Sequence, residues 1–381
     1  MISRELVTLF FITFFVGQSV SLISPILPSI RNEFNLSYAA VSSVLALFGL
    51  SRLLTSLPVG YLYHRINSKK LLLTGLFLIF AGSGIAFLTR SLAEFFISQI
   101  ITGVGFSFCT TTIIISLSLA TRRENIGRVL GFNTLARSSA AVAAPVMAGL
   151  ISALFLWRSV FAFYFLLSII TFCLALFFVS HKTKSLNAAD IKTNTGGRYT
   201  KHAIGSLLLT GFLASFATVG FRATVVPLFA RDALGMDVAA IGLVLGVSAI
   251  LHFITAPVAA IFSDRYGRKK FLLFGLIAQM IGLLYFLYVK TFFDLIISAV
   301  FLGIGTMIFV LPPAILADVS SVSKMSRNQS MLRFMIDLGF FAGPFAMGII
   351  LDGYGFSAAA LVTTAFTLVT LVTVIHYVKE K

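Results

Sequence analysis

The sequence predicts an all-α membrane protein, with twelve transmembrane helices arranged as two pseudo-symmetric six-helix bundles. Three observations carry that prediction. Hydrophobic residues make up 58% of the 381 and charged residues only 11%, with a mean hydropathy of +1.01; a soluble domain is about 45–50% apolar and about 25% charged. Apolar stretches long enough to span a bilayer, about 20 residues each, recur twelve times between polar breaks. Landmark residues of the first half also return 199 or 200 positions later. One soluble core cannot hide so much apolar surface.

The stretches, taken in order, are 5–30, 38–63, 69–89, 94–120, 127–153 and 159–180, then 203–229, 238–262, 270–289, 293–317, 328–351 and 357–377. Charge clusters and turn residues end each one: Arg31 to Glu33 close the first, Arg65 follows the second, Arg122 and Arg123 follow the fourth. The first stretch exceeds a signal-peptide core and has no small-residue cleavage pattern, so a retained helix is expected. The polar segment HKTKSLNAADIKTNTGGRYTKH, 181–202, reads as a linker between bundles 1–180 and 203–381. Cys109 and Cys173 sit inside apolar runs and imply neither a disulfide framework nor a metal site.

The formal net charge is +16, and its distribution speaks against nucleic acid. With both termini in the cytoplasm, twenty Lys and Arg fall on cytoplasmic segments. Only Arg31, Arg90, Arg158, Arg231 and Lys290 fall outside, and four more lie inside helices. That asymmetry follows the positive-inside rule. The expected location is a bacterial or archaeal inner membrane.

The repeat aligns Pro28 with Pro227, Arg52 with His252, Arg65 with Arg265, and Lys69 and Lys70 with Lys269 and Lys270. Glu94 falls on Asp294, Gly103 and Gly105 on Gly303 and Gly305, and Arg128, Pro145 and Gly149 on Arg327, Pro344 and Gly348. Matches of Pro, Gly and charge carry more weight than matches of Leu or Phe. A duplicated bundle with its site between the halves is an established transporter plan.

Two motifs then carry a family resemblance. In APVAAIFSDRYGRKK, 256–270, the residues Asp264, Arg265, Gly267, Arg268 and Lys269 resemble the G-x-x-x-D-R-x-G-R-K signature of the major facilitator superfamily. The first-half copy, PVGYLYHRINSKK at 58–70, keeps Gly60 and Arg65 but has His64 for the acid. AAVAAPVMAG at 140–149 and GFFAGPFAMG at 339–348 resemble the family's G-x-x-x-G-P-x-x-G-G packing motif, through Pro145, Gly149, Gly339, Gly343, Pro344 and Gly348. The family's drug–proton exchangers often carry an Arg on the fourth helix where this chain has Gln99, a departure from that pattern.

The bases near Asp264 have an ordinary reading as headgroup anchors. The acid and Gly267 do not share it. By analogy with the family, Asp264 would approach the positive N-terminal end of the fifth helix near Gly127 and Arg128 and hold an outward-facing state. The counterpart latch should fail, because His64 supplies no fixed negative charge.

Six ionisable residues lie inside apolar stretches: Arg52, Arg137, Arg222, His252, Arg333 and Asp337. A mid-membrane Arg costs roughly 2.5–3.5 kcal/mol on insertion scales, so several together ask for a reason. Arg52 and His252 lie about 18 Å from their helix ends at 1.5 Å per residue. The resemblance implies that all six sit on cavity-lining helices; the alternative is a buried interbundle ion pair. Arg333 and Asp337, four apart, share a helix face. Asp337 is the leading proton carrier and His252 the second candidate. Gln18, Asn133 and Thr102 are candidate hydrogen-bonding positions, and Phe106 and Phe221 candidate aromatic ones.

The expectation is therefore a monomeric secondary transporter in the lipid bilayer. It moves a small organic molecule by alternating access, with proton-coupled efflux of an anionic or zwitterionic solute foremost; organic anion uptake or exchange, or lipid transport, are the alternatives. No P-loop appears, and no metal-ligand or nucleophile–base set, so neither an ATPase, a cofactor nor an enzyme is expected.

Overall fold

The computed structural model describes residues 4–63, 65–121, 123–179, 201–319 and 322–378, which form helices and short turns with no strand among them. Positions 181–200 of the expected linker, and His64, lie outside the described residues. In chain order the helices are α1 (Arg4–Ser21), α2 (Leu27–Phe34), α3 (Tyr38–Leu62), α4 (Ser68–Leu88), α5 (Leu92–Ala120), α6 (Arg123–Leu154) and α7 (Arg158–Phe178). Then come α8 (Lys201–Ser215), α9 (Val226–Asp232), α10 (Val238–Tyr266), α11 (Arg268–Phe286), α12 (Phe292–Gly305), α13 (Leu311–Val319) and α14 (Val322–Tyr377).

Five of the expected stretches depart from one separate helix each. A 3₁₀ turn, Ser24–Ile26, separates α1 from α2, with prolines in the first turn of each new segment, where the missing N–H removes no bond. A ten-residue π-helical segment, Phe216–Val225, joins α8 to α9. A 3₁₀ turn, Thr306–Phe309, joins α12 to α13, whose first turn holds Pro312 and Pro313. The eleventh and twelfth stretches run together in α14, broken only where Gly355 takes φ 75° and ψ −175°. Eleven helical spans among the described residues are long and apolar enough to cross a membrane, and the protein is a multi-pass membrane protein.

Local devices recur at the same 199- or 200-residue interval. Ser37 accepts from the Ala40 N–H at 3.2 Å, and Asp237 from Ala240 at 2.7 Å, capping α3 and α10. Glu94 with Ser91 and Asp294 with Thr291 form capping boxes at the starts of α5 and α12, which is what the Glu94/Asp294 repeat encodes. Asn35 (φ 49°) and Gly235 (φ 64°) turn the chain before α3 and α10. Lys69 Nζ donates to the Leu176 carbonyl at 2.6 Å, and Lys269 Nζ to the Ile375 carbonyl at 2.8 Å. These lysines sit on the last carbonyls of α7 and α14, where a cation suits the helix dipole. That is more specific than a headgroup anchor.

Small residues set how α6 meets α10 and how α14 meets α3. A Cβ on Gly149 would lie 2.8 Å from the Val238 carbonyl oxygen, and one on Gly242 would lie 2.5 Å from that of Pro145. A Cβ on Gly348 would lie 2.7 Å from Ala39 Cα. Gly339 and Gly343 admit Phe212 and Gly220 in the same way. Gly60, by contrast, faces open space.

Beyond these crossings, polar contacts seal one end of the molecule. Asp352 of α14 accepts from the N–H groups of Tyr38 and Ala39 at 2.8 and 2.9 Å, at the N-terminus of α3. Asp232 accepts from Arg31 Nη1 and from the Tyr38 hydroxyl, both at 2.8 Å, while the Arg31 guanidinium lies 4.1 Å from the Tyr38 ring centre. A carboxylate on first-turn N–H groups gains both hydrogen bonds and the helix dipole, up to about 2 kcal/mol in partly buried geometry. Asp352→Ala should therefore loosen the seal about tenfold. In a background free of Cys109 and Cys173, a Ser24→Cys probe beneath the seal should react about tenfold faster with an impermeant maleimide applied from that side; an unchanged rate counts against the seal.

Candidate functional site

α3 is clamped from two sides. A Cβ on Gly103 of α5 would lie 2.6 Å from the Phe48 carbonyl oxygen, and one on Gly49 would lie 3.0 Å from Phe340 and Phe341 of α14. The clamp brings Arg52, halfway along α3, against Asp337 of α14. Arg52 Nη2 donates to Asp337 Oδ1, and Arg333 Nε, one turn earlier on α14, donates to Oδ2 at 3.2 Å. Each carboxylate oxygen thus faces a different arginine. The Asp337 side chain is 0% exposed and that of Arg52 8% exposed. The Arg52 guanidinium also lies 4.2 Å from the Phe340 ring centre, a cation–π contact that adds to the desolvated pair.

Arg222 stands on the π-helical segment. Within it the Thr224 hydroxyl reaches back five residues to the Val219 carbonyl at 2.7 Å, and π segments of this kind gather at functional sites. Gly220 and Gly343 let the segment lie against α14: a Cβ on Gly220 would be 2.7 Å from the Gly343 carbonyl carbon. Arg222 Nη1 donates to Ser248 Oγ of α10 at 3.2 Å, and its Nε is buried with no partner. One turn along α10, His252 Nδ1 lies 2.8 Å from Thr306 Oγ1, which itself lies 2.5 Å from the Gly303 carbonyl. Which of the two donates depends on the imidazole tautomer. Arg137 of α6 packs its stem over Gly17 of α1; among the described residues it has no hydrogen bond or ion pair.

Arg52, Arg137, Arg222, His252 and Arg333 all line one cavity of about 470 Å³. Residues of α1, α3 and α6 face residues of α8, the π segment, α10, α13 and α14 across it. Val20, Ser24, Pro145 and Leu245 belong to its wall, as do Pro313 and Gln329. Asp337 lies behind its arginines rather than on that wall. With Asp337 ionised and His252 neutral, the six groups sum to +3. The described residues contain no metal-ligating cluster.

Other expected positions lie elsewhere. Asn133 accepts from the Thr13 hydroxyl at 2.7 Å, joining α6 to α1 rather than facing the cavity. Gln18 is buried off the wall with its Oε1 unpartnered. Thr102 bonds back to the Ser98 carbonyl. Phe106 and Phe221 are core residues; Phe221 packs against Phe286. Asp264 is largely exposed and is held by Arg268 at 2.7 Å, an i,i+4 pair across the turn at Gly267, whose φ is 102°. Arg265 lies over the Tyr266 ring and Arg65 over the Tyr61 ring. The residues that sequence reasoning missed are Phe340, Ser248 and Thr306, which hold the charged groups. Nothing in their type or spacing marks them out.

The Major Facilitator Superfamily model matches residues 9–221 and 207–381. Multidrug resistance protein 2 of Bacillus subtilis is 28% identical over 176 residues, which span 46% of this chain and 43% of that relative, under half its length. Multidrug resistance protein MdtG of Escherichia coli is 26% identical over 386 residues, 96% of this chain and 92% of that one. The probable nitrate transporter NarT of Staphylococcus epidermidis is 23% identical over 374 residues, 95% and 92% of the two chains. A crystal structure of a mutant of the nucleoside transporter NupG superposes with a TM-score of 0.81 at 15% identity, covering 98% of this chain and 100% of that one; at that identity the likeness is one of fold.

Removing one member of a buried charge pair costs about 3–5 kcal/mol, because the partner is left uncompensated. Asp337→Asn should therefore lower the melting temperature of the detergent-solubilised protein markedly. Asp337→Asn combined with Arg52→Gln should recover much of the loss. A double variant as unstable as the sum of the singles would show that the two side chains do not act as a pair.

Proposed function

Because the chain belongs to the Major Facilitator Superfamily, we propose that it is a secondary transporter carrying a small anionic or zwitterionic organic solute outward in exchange for protons. The observation that carries this reading is the cavity wall: four arginines and a histidine converge there, and the single acid among them is covered. In a low-dielectric chamber an excess of positive charge attracts anions and repels cations.

The moving parts in this reading are two six-helix halves, 1–180 and 203–381, joined by 181–202, with α14 counted as two spans on either side of Gly355. The contacts that recur 199 or 200 residues apart support it. The end sealed by Asp232 and Asp352 is external, both termini are cytoplasmic, and the conformation faces inward. Asp337 is the proton carrier. Its ionised form holds Arg52 of the first half and Arg333 of the second. Protonation cancels the charge that binds them, so the α3–α14 contact weakens at the step that must open the seam. A ligand favours one conformation only through its differential affinity for the two, and a cross-half carboxylate supplies that difference. The outward-facing state is held in turn by Asp264 at the N-terminus of α6. In this conformation it is exposed and, among the described residues, tied to Arg268, one turn along the chain, rather than to α6.

Efflux is supported by the likeness to multidrug resistance proteins over nearly the whole chain. A second reading, uptake or exchange of an anion, is favoured by the same basic cavity and by the likeness to a probable nitrate transporter over 95% of the chain.

In proteoliposomes, an imposed pH gradient should drive solute flux in the wild type. Asp337→Asn should abolish the gradient-driven component and leave solute–solute exchange; flux that ignores the gradient in the wild type removes the proton from the scheme. Asp264→Asn should raise cytoplasmic accessibility of a cavity cysteine several-fold while His64→Ala leaves it unchanged, and equal effects would count against a one-sided latch.

A further inference from the structure

The four cavity arginines do not have equal status. Arg52 and Arg333 share Asp337. Among the described residues, neither Arg137 nor Arg222 has an acid as hydrogen-bond or ion-pair partner. Arg222 has one neutral partner, the Ser248 hydroxyl, and a buried Nε with none. Arg137 reaches the cavity without a hydrogen bond or ion pair among the described residues. Both line the same cavity as His252. They stand on opposite sides of the cavity seam, Arg137 on α6 and Arg222 on the π-helical segment. Arg137 is open to the cavity and Arg222 half-buried; a guanidinium at membrane depth is costly, and two facing one chamber repel each other as well.

We infer that Arg137 and Arg222 form a two-armed site for a doubly negative oxyanion group, which bridges the first and second halves of the chain when it binds. This rests on the anionic-substrate reading above and narrows it. A guanidinium presents a planar fork that matches carboxylate or phosphate oxygens two at a time. A monoanion offsets only one of the two unpaired charges. A dianion such as a dicarboxylate or a phosphate group offsets both and leaves the Asp337 triad undisturbed. Ser21, Ser24, Ser215 and Thr218, also on the wall or at its edge, supply hydroxyl donors to the remaining oxygens. The labour is thereby divided: Arg137 and Arg222 take the solute, and Arg52, Arg333 and Asp337 handle the proton.

The test is a thermal-shift and calorimetric titration of the full-length protein in detergent, at fixed ionic strength and pH 7.5. The probes are inorganic phosphate and succinate against nitrate and propionate, with tetraethylammonium as a cation. The expected result is binding of the dianions at least tenfold tighter than of the monoanions. Arg137→Gln and Arg222→Gln should each weaken dianion binding tenfold or more, and Arg137→Lys and Arg222→Lys should weaken it less than the glutamines do. Asp337→Asn should retain the dianion preference. The melting temperature without ligand, read for each variant, separates lost binding from lost fold. Equal affinity for mono- and dianions, or dianion binding that survives both Arg→Gln variants, overturns the two-armed site while sparing an anionic substrate. Stabilisation by tetraethylammonium alone overturns the anionic reading itself.

Discussion

The carboxylate of Asp337, pressed between Arg52 of one half and Arg333 of its own helix, is the constraint around which the rest is arranged. Such a cluster is poor glue: desolvating Asp337 and Arg52 cancels most of what their attraction returns, and apolar residues of equal volume often hold helices together as well or better. In the proposed cycle its value lies in its dependence on one proton. To bring α3 that close to α14 without a void or a clash, the chain places Gly49 and Gly348 along the contact. It lays the Phe340 ring over the arginine that carries the pair. The small residues are thus part of the electrostatics, because a methyl group at any of them would move the charges apart.

The duplicated scaffold and the unduplicated charges serve different ends. Caps, turns, lysine clasps and glycine crossings return at intervals of 199 or 200 residues. The cavity groups do not. At the positions equivalent to Arg137, Arg222 and Asp337 stand Ile336, Ile23 and Ser138, and Arg52 answers to His252. The repeat supplies similar local devices to both parts of the chain, and departures from it supply the charged groups of the cavity. The π-helical segment belongs to the same asymmetry, since the corresponding part of the first half is an α-helix followed by the Ser24–Ile26 turn.

Much of this was legible in the sequence, for a physical reason. An ionisable group inside an apolar stretch is costly enough to stand out, so Arg52, Arg137, Arg222, His252, Arg333 and Asp337 were visible before any coordinates, and the structure gathers five of them on one cavity with the sixth just behind. The less visible features are those whose residues look ordinary. Asp232 and Asp352 read as loop acids, because their partners are backbone and side-chain groups some 200 and 300 positions away. Gln18 and Asn133 read as cavity candidates, because polarity on a membrane helix does not reveal which neighbour it faces. The π segment has no compositional signature. The break at Gly355 replaces what looked like a loop, since one residue at positive φ turns the chain by itself.

The lysine clasps have a mechanical corollary. Lys69 fastens the start of α4 to the end of α7, and Lys269 fastens the start of α11 to the end of α14. Each rivet closes a ring within its own shell and crosses no seam. If the two halves rock against each other as proposed, the rims that meet the headgroups travel as finished edges, with no helix terminus stripped of its partner on the way. The work of the cycle is then confined to the hinge line between the shells, where a single solute and a single proton are large enough perturbations to matter.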